Sequence, residues 1–116
     1  MFHAHEILDE LRDPAHSLRE RIPDVLSGYV ELHRAAMAPG ALERKTKELI
    51  ALAIAVTREC DGCVASHARG AARYGATADE VAETMGVAIL MNGGPATVWG
   101  PRAYAAFEEY AASKGS

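Results

Sequence analysis

The sequence has few cysteines, few aromatic residues and no long apolar run. Its 116 residues include two cysteines, too few for a framework of structural disulfides. The longest purely apolar stretch, residues 49–56, is far shorter than the roughly 20 residues that a membrane-spanning helix needs. Lys and Arg number 12 against 16 Asp and Glu, and they form no clustered basic face. We therefore expect no membrane-spanning segment and no nucleic-acid partner.

Length and composition indicate a single cytoplasmic domain built from helices. A chain of 116 residues suits one domain, so residues 1–116 are taken as one unit. The N-terminal stretch lacks the basic and apolar regions of a secretory signal, which predicts a cytoplasmic location. In that reducing compartment, two cysteines close in sequence serve catalysis or metal binding more often than structure. Alanine is abundant and aromatic residues make up 6% of the chain, which favours helices.

Apolar residues recur at helical spacing between glycine and proline residues, which predicts five helices. The predicted helices cover approximately residues 23–37, 42–58, 61–74, 77–92 and 99–110. Breaks are expected at Pro14, Pro23, Pro39, Gly75 and Gly93. Thr77 and Glu80 fit a capping box, and Gly75 fits the residue just after a helix end. Because no segment alternates with the period of a strand, we expect an all-α fold.

The second predicted helix contains the most apolar part of the chain. Residues 49–56, LIALAIAV, are apolar on every side of a helix, which predicts burial on most sides. Glu48 stands at the start of this run, where burial of a carboxylate would raise its pKa. A domain this small has a thin core, which favours completion of that core by homo-oligomerisation.

The candidate chemistry lies in the pattern Glu48-X11-Cys60-X2-Cys63-X3-His67. On one helix, spacings of three and four residues bring Cys60, Cys63 and His67 to the same side. Cys63 would lie in the first turn, where the positive end of the helix dipole stabilises a thiolate. The cysteine spacing lets a disulfide form and break, and His67 can exchange a proton with a thiol. Glu48 can join this cluster if the preceding helix packs antiparallel to it.

The spacing alone leaves other roles open. Two Cys, one His and one Glu also suit a tetrahedral zinc ion, although the usual second ligand pair on a separate knuckle is missing. A histidine such as His67 is more often a hydrogen-bonded structural residue. Glu48 could instead pair with Lys45 or Lys47 at a helix edge. His33 is expected to be a core histidine that is hydrogen-bonded to a neighbour.

The run KTKELIALAIAVTRECDGCVASHARGAARYGATADEVAE, followed further on by GGP, resembles the carboxymuconolactone decarboxylase family. Its Glu-X11-Cys-X2-Cys-X3-His pattern is similar to that of the AhpD-like alkylhydroperoxidase subgroup. The likeness covers residues of about 20–112. Between the cysteines this chain has Asp61 and Gly62, where some relatives carry a histidine or an aromatic residue.

The resemblance implies an all-α fold of antiparallel helices assembled into trimers or hexamers. It also implies a peroxidase without a cofactor or metal, in which Cys63 attacks a hydroperoxide and Cys60 then forms the disulfide. Glu48 and His67 would move the protons. The implied partners are a hydroperoxide substrate and an external dithiol reductant, such as a lipoylated protein. The rival functions are a cofactor-free lactone decarboxylase, like the family's namesake, and a non-enzymatic redox sensor or zinc-binding protein.

Overall fold

Six helices form the part of the chain described by the structure, a computed structural model that covers residues 3–114. In chain order they are α1 (Ala4–Arg21), α2 (Pro23–Met37), α3 (Arg44–Thr57), α4 (Asp61–Arg73), α5 (Ala78–Asn92) and α6 (Gly94–Lys114). These residues include no strand, and none of their helices is both long and apolar enough to cross a membrane. The expected all-α fold is confirmed, and the four segments predicted between residues 23 and 92 match α2 to α5 closely.

The N-terminal helix α1 is not among the five predicted helices, and it continues through Pro14, where a break was expected. A proline inside a helix leaves the carbonyl four residues earlier without its usual donor. Most of α1 is exposed, with Ala4 as its buried residue, so water can bond to that carbonyl. The helix is held to α6 by His5, whose backbone N–H donates to the Glu109 carboxylate at 3.0 Å.

The helix α4 lies at the centre of the domain, packed against α1, α3 and α6. Its buried side chains are small, and this lets the neighbouring helices approach closely. They are Val64, Ala65, Ala68, Ala71 and Ala72. The larger core residues that surround this face come from α3, α5 and α6. They include Leu52, Val56, Val81, Met85 and Phe107.

The helix α3 is buried on one side only, so the predicted burial on most sides is wrong. Leu52 and Val56 are fully buried, but Ile50 and Ile54 are 45% and 53% exposed. The pattern was read correctly as a helix, but α2 packs only lightly on α3 and leaves one of its apolar faces open. That open face borders the cysteines, as described below.

A three-residue turn joins α3 to α4 and determines where the cysteines lie. The N–H of Glu59 donates to the carbonyl of Val56, and the N–H of Cys60 donates to that of Ala55, each at 3.2 Å. This pair of bonds is a Schellman motif, and it requires Glu59 to adopt the left-handed region, with φ of 54°. The motif ends α3 and makes the next residue, Cys60, the N-cap of α4.

The predicted signals at the other end of α4 are confirmed. Gly75 has φ of 87°, and the N–H of Ala76 donates to the carbonyl of Ala71 at 2.9 Å, as in a second Schellman motif. Thr77 then accepts the N–H of Glu80, whose carboxylate in turn accepts the N–H of Thr77. Glu80 also pairs with Lys45 of α3 at 2.9 Å, so this capping box ties α5 to the helix that precedes the cysteines.

Replacing Thr77 by Ala should lower the free energy of unfolding by about 1 kcal/mol, because the N–H of Glu80 loses its acceptor. Urea denaturation of both proteins measures the difference. Thr97→Ala is the matched control: Thr97 is exposed on α6 and its hydroxyl donates to the carbonyl of Gly94 in the same helix. That control should change stability by less than about 0.5 kcal/mol, and equal losses in both variants would contradict the assigned cap.

Candidate functional site

The two cysteines form a disulfide at the N-terminus of α4. Their Cα atoms are 5.2 Å apart. The backbone N–H of Cys63 donates to the sulfur of Cys60 at 3.3 Å, so the N-cap sulfur occupies the positive end of the helix. Cys63 is exposed, whereas Cys60 is half-buried. Cys63 is therefore the more exposed of the two cysteines.

The acid of the motif, Glu48, is buried on α3 with 2% of its surface exposed. Its Oε1 lies 2.8 Å from Nδ1 of His67. Its Oε2 accepts Nε–H of Arg44 at 2.9 Å, and Nη2 of Arg44 is also 2.9 Å away. Both carboxylate oxygens thus have partners, which a buried charge requires. The predicted approach of Glu48 to His67 across the turn is present in the structure.

The environment of Glu48 keeps it ionised. Burial acts to raise the pKa of Glu48, but the hydrogen bonds and charges of His67 and Arg44 outweigh burial and lower that pKa below its ordinary value of 4.5. The rise expected from the sequence is therefore wrong in direction. The pKa falls because His67 and, next in size, Arg44 both stabilise the ionised carboxylate of Glu48. Arg44 lies one helical turn before Glu48, and the sequence did not indicate it as a partner.

An ionised Glu48 determines which nitrogen of His67 is free to exchange protons. A carboxylate can only accept hydrogen bonds, so Nδ1 of His67 carries a hydrogen that it donates to Glu48. In the neutral ring, Nε2 then has the lone pair. No residue that the structure describes bonds to Nε2. His67 is thus oriented as a base whose reactive nitrogen is not already engaged.

Close approach of α3 and α4 at this point depends on Gly70. A Cβ atom at Gly70 would lie well inside 3.0 Å of the Glu48 carboxylate, closer than real Cβ atoms come to other atoms. The glycine therefore leaves the space that the buried carboxylate occupies beside α4. No pattern in the sequence marked Gly70, because it lies inside a helix and its neighbour is on another one.

Two further side chains, from α2 and α3, shape the surroundings of His67. The ring of His33 is stacked on that of His67 with centroids 6.4 Å apart and planes 21° apart. His33 is half-buried beside the site, rather than in the core as expected. Lys47 of α3 donates to the carbonyls of Ala36 and Ala38 at 2.9 and 2.6 Å, and so holds the end of α2 in place.

A cavity of about 340 Å³ opens beside the disulfide. One wall is the open face of α3. Cys60, Cys63 and His67 form the opposite side. Arg58, the C-cap of α3, also lines the cavity, and among the lining residues that the structure describes it is the one with a permanent charge. Its residues from α3 are Ala51, Ile54 and Ala55. The space is within the size range of small-molecule sites.

All four residues predicted for the site therefore come together, with Glu48 bonded to His67 and both cysteines beside that histidine. The sequence analysis missed Arg44 and Arg58. The four-residue spacing of Arg44 and Glu48 could have indicated the first, whereas nothing local pointed to the second. Within residues 3–114, no three His, Cys, Asp or Glu side chains are arranged to hold a metal ion.

Comparison with known proteins places this geometry in a family. The carboxymuconolactone decarboxylase family matches residues 23–109. An uncharacterised protein of Cupriavidus necator is 36% identical over 101 residues, which cover 87% of this chain and 89% of that protein. Uncharacterised protein 4 in the cox locus of Paracoccus denitrificans is 37% identical over 81 residues, which cover 70% of this chain and 73% of that protein.

A solved structure shows the same fold. The crystal structure of the apo form of a carboxymuconolactone decarboxylase family protein from Legionella pneumophila aligns with a TM-score of 0.90 and 37% identity. The alignment covers 93% of this chain and 96% of that one. Fold and site together define an all-α protein with a paired-cysteine helix terminus. This chain belongs to the carboxymuconolactone decarboxylase family, and its motif is compatible with the AhpD-like subgroup.

Gly70→Ala should destabilise the protein by roughly 1–3 kcal/mol, because the new methyl group displaces the Glu48 carboxylate or separates α3 from α4. Gly86→Ala is the matched control, since Gly86 is an exposed glycine within α5 and its Cβ would meet nothing within 4 Å. The control should stabilise the protein by about 0.5–1 kcal/mol through helix propensity. Thermal and urea unfolding give both values, and a shift of the same sign in the two variants would refute the close approach.

Glu48→Gln should destabilise the protein by roughly 1–3 kcal/mol near neutral pH, because Arg44 and His67 lose their shared anion. The folded-state pKa of Glu48 is lowered, so its stabilising effect is present above the unfolded value near 4.5 and is lost as pH falls through the folded pKa. The gap between parent and variant should therefore shrink under acidic conditions.

Urea denaturation near neutral pH and well below pH 4.5 tests this change in the gap. Glu83→Gln, an exposed acid on α5, serves as the control and should change stability by less than about 0.5 kcal/mol throughout. A gap between parent and Glu48→Gln that stays constant or widens on acidification would show that Glu48 is not held as an anion.

Proposed function

We propose that this protein is a thiol-dependent peroxidase of the AhpD-like type that reduces organic hydroperoxides with its Cys60–Cys63 pair. The observation that supports this most strongly is that the cysteine pair, His67 and Glu48 lie together at one site. A disulfide-forming pair at a helix N-terminus opens on the same cavity as His67, and His67 is bonded to the buried, ionised Glu48. A thiol, a base and an oriented proton path are what peroxide reduction by cysteine requires.

The oxidative half of the cycle begins with the reduced pair. Nε2 of His67 takes the proton of the Cys63 thiol, and the thiolate attacks the terminal oxygen of the hydroperoxide. The O–O bond breaks, and the departing alkoxide receives the proton from His67 and leaves as an alcohol. The sulfur of Cys63 is oxidised to a sulfenic acid. The thiol of Cys60 then displaces the sulfenic oxygen as water and closes the disulfide.

The reductive half uses an external dithiol, such as a lipoylated protein. A thiolate of that dithiol attacks the exposed sulfur of Cys63, and Cys60 leaves as a thiolate. The backbone N–H of Cys63, which already points at the Cys60 sulfur, stabilises this leaving group. The second thiol of the reductant then releases Cys63 and carries the disulfide away. The cytoplasm, which maintains such dithiols, is the proposed location.

A homo-oligomer, either a trimer or a hexamer, is also part of the proposal. Support comes from large apolar side chains that α2 and α5 leave exposed. Leu90 and Met91 of α5 are 79% and 77% exposed, and Val25 and Leu32 of α2 are each 64% exposed. Large apolar side chains left exposed in this way support a contact with another protein chain.

Cys63→Ser should reduce hydroperoxide consumption to the uncatalysed rate, because the attacking thiolate is gone. Cys60→Ser should allow one attack and then stop, leaving a sulfenic acid on Cys63 that dimedone labelling and mass spectrometry detect. A peroxide assay with a small dithiol as reductant measures the loss in Cys63→Ser, and a single-turnover assay without any thiol reductant measures the stop in Cys60→Ser. Far-ultraviolet circular dichroism checks that the variants stay folded. Consumption at the parent rate in both variants would exclude the proposed chemistry.

A second candidate function is a cofactor-free lactone decarboxylase, and Arg58 is the observation that favours it. That reaction needs acid–base groups and a cation for the substrate carboxylate, and the cavity contains both His67 and Arg58. The cysteine pair has no role in such a reaction. Decarboxylation of a muconolactone that persists in the Cys60→Ser, Cys63→Ser double variant would favour this candidate over the peroxidase.

A further inference from the structure

The cavity beside the cysteines contains one positive side chain that the proposed proton transfers do not use. Arg58 lines this cavity, and its side chain makes no ion pair or hydrogen bond with any of the residues that the structure describes. Its backbone is held by the C-terminal turn of α3, where the N–H of Arg58 donates to the carbonyl of Ile54 at 3.0 Å. The backbone of Arg58 is thus anchored at the cavity edge, and the charge of its side chain has no partner among the described residues.

The end of a helix attracts cations, and this alone would explain an arginine at the end of α3. It does not explain why Arg58 lines the cavity of the cysteines. Arg73, in the last turn of α4, is also exposed, but it lines a separate cavity that contains neither cysteine. Both arginines therefore satisfy the general preference of helix C-termini for cations, but of the two only Arg58 lines the cavity of the cysteines.

The charge of the cavity is positive although the chain as a whole is acidic. The formal net charge is −4, and two acids, Glu59 and Asp61, are close neighbours of Arg58 in sequence. Both are exposed, and neither lines the cavity. Among residues 3–114, the ionisable residues that line it are Arg58, His67 and the cysteines. An anion that enters therefore meets a cation without a competing carboxylate among the lining residues.

We propose that Arg58 determines substrate specificity by binding the carboxylate of a small ligand whose apolar body packs on α3. A guanidinium matches a carboxylate with two parallel hydrogen bonds, and Ala51 and Ile54 offer an apolar wall beside it. The inference rests on the proposed function in one respect, that this ligand is a carboxylate-bearing organic hydroperoxide. The carboxylate contact itself transfers no electron or proton, and the peroxide group reacts at Cys63.

Binding can be tested without turnover. The reduced protein is alkylated with iodoacetamide in the presence of para-isopropylbenzoate or its neutral analogue para-isopropylbenzyl alcohol, and modification of Cys63 is followed by mass spectrometry. In the parent, the benzoate should protect Cys63 at about tenfold lower concentration than the alcohol. Arg58→Gln should abolish that difference, Arg58→Lys should keep part of it, and Arg73→Gln should leave it intact. Equal protection by both compounds in the parent would overturn the proposal.

Turnover gives the second test. The ratio of kcat/KM for ring-carboxylated cumene hydroperoxide to that for cumene hydroperoxide should fall about tenfold in Arg58→Gln and stay at the parent value in Arg73→Gln. A ratio that Arg58→Gln does not change would overturn the role of Arg58 while the peroxidase function stands. If neither peroxide is reduced but protection by the benzoate depends on Arg58, the carboxylate site is supported and the proposed peroxidase function fails.

Discussion

The site depends on one buried charge, the carboxylate of Glu48 between Arg44 and His67. Burial of an unpaired carboxylate is costly, so two donors from different positions must converge on it. Arg44 lies on the same helix as Glu48, α3, whereas His67 reaches the carboxylate from α4. His67 and Arg44 together keep the acid ionised, and the ionised acid in turn orients the histidine. Gly70 has no side chain, and this leaves the space that the Glu48 carboxylate occupies between α3 and α4.

The turn between α3 and α4 connects this charge to the sulfur chemistry. A left-handed Glu59 ends one helix, and the next residue, Cys60, begins the other. Because only three residues separate the helices, the acid of the first and the histidine of the second meet across the turn. The same turn directs Arg58 and both cysteines to one cavity. Local backbone hydrogen bonds thus determine the distance over which protons and electrons must move.

Much of this could be predicted from the sequence because it is governed by neighbours in the chain. Helical periodicity, the capping box at Thr77 and the glycine that ends α4 each act within a few residues. The predicted break at Pro14 was wrong because water can bond to the carbonyl that proline leaves free on an exposed helix. The expected burial of α3 on most sides was wrong because periodicity does not reveal which neighbours cover a face.

The sequence by itself determined the helices α2 to α5 and the shared side of Cys60, Cys63 and His67, because helix geometry converts spacing into direction. Tertiary structure alone decided the direction of the Glu48 pKa shift, because that depends on whether burial or paired cations dominate. It also decided that Arg58 lines the cavity of the cysteines. Those outcomes depend on distances between helices, and no short-range pattern in the chain encodes them.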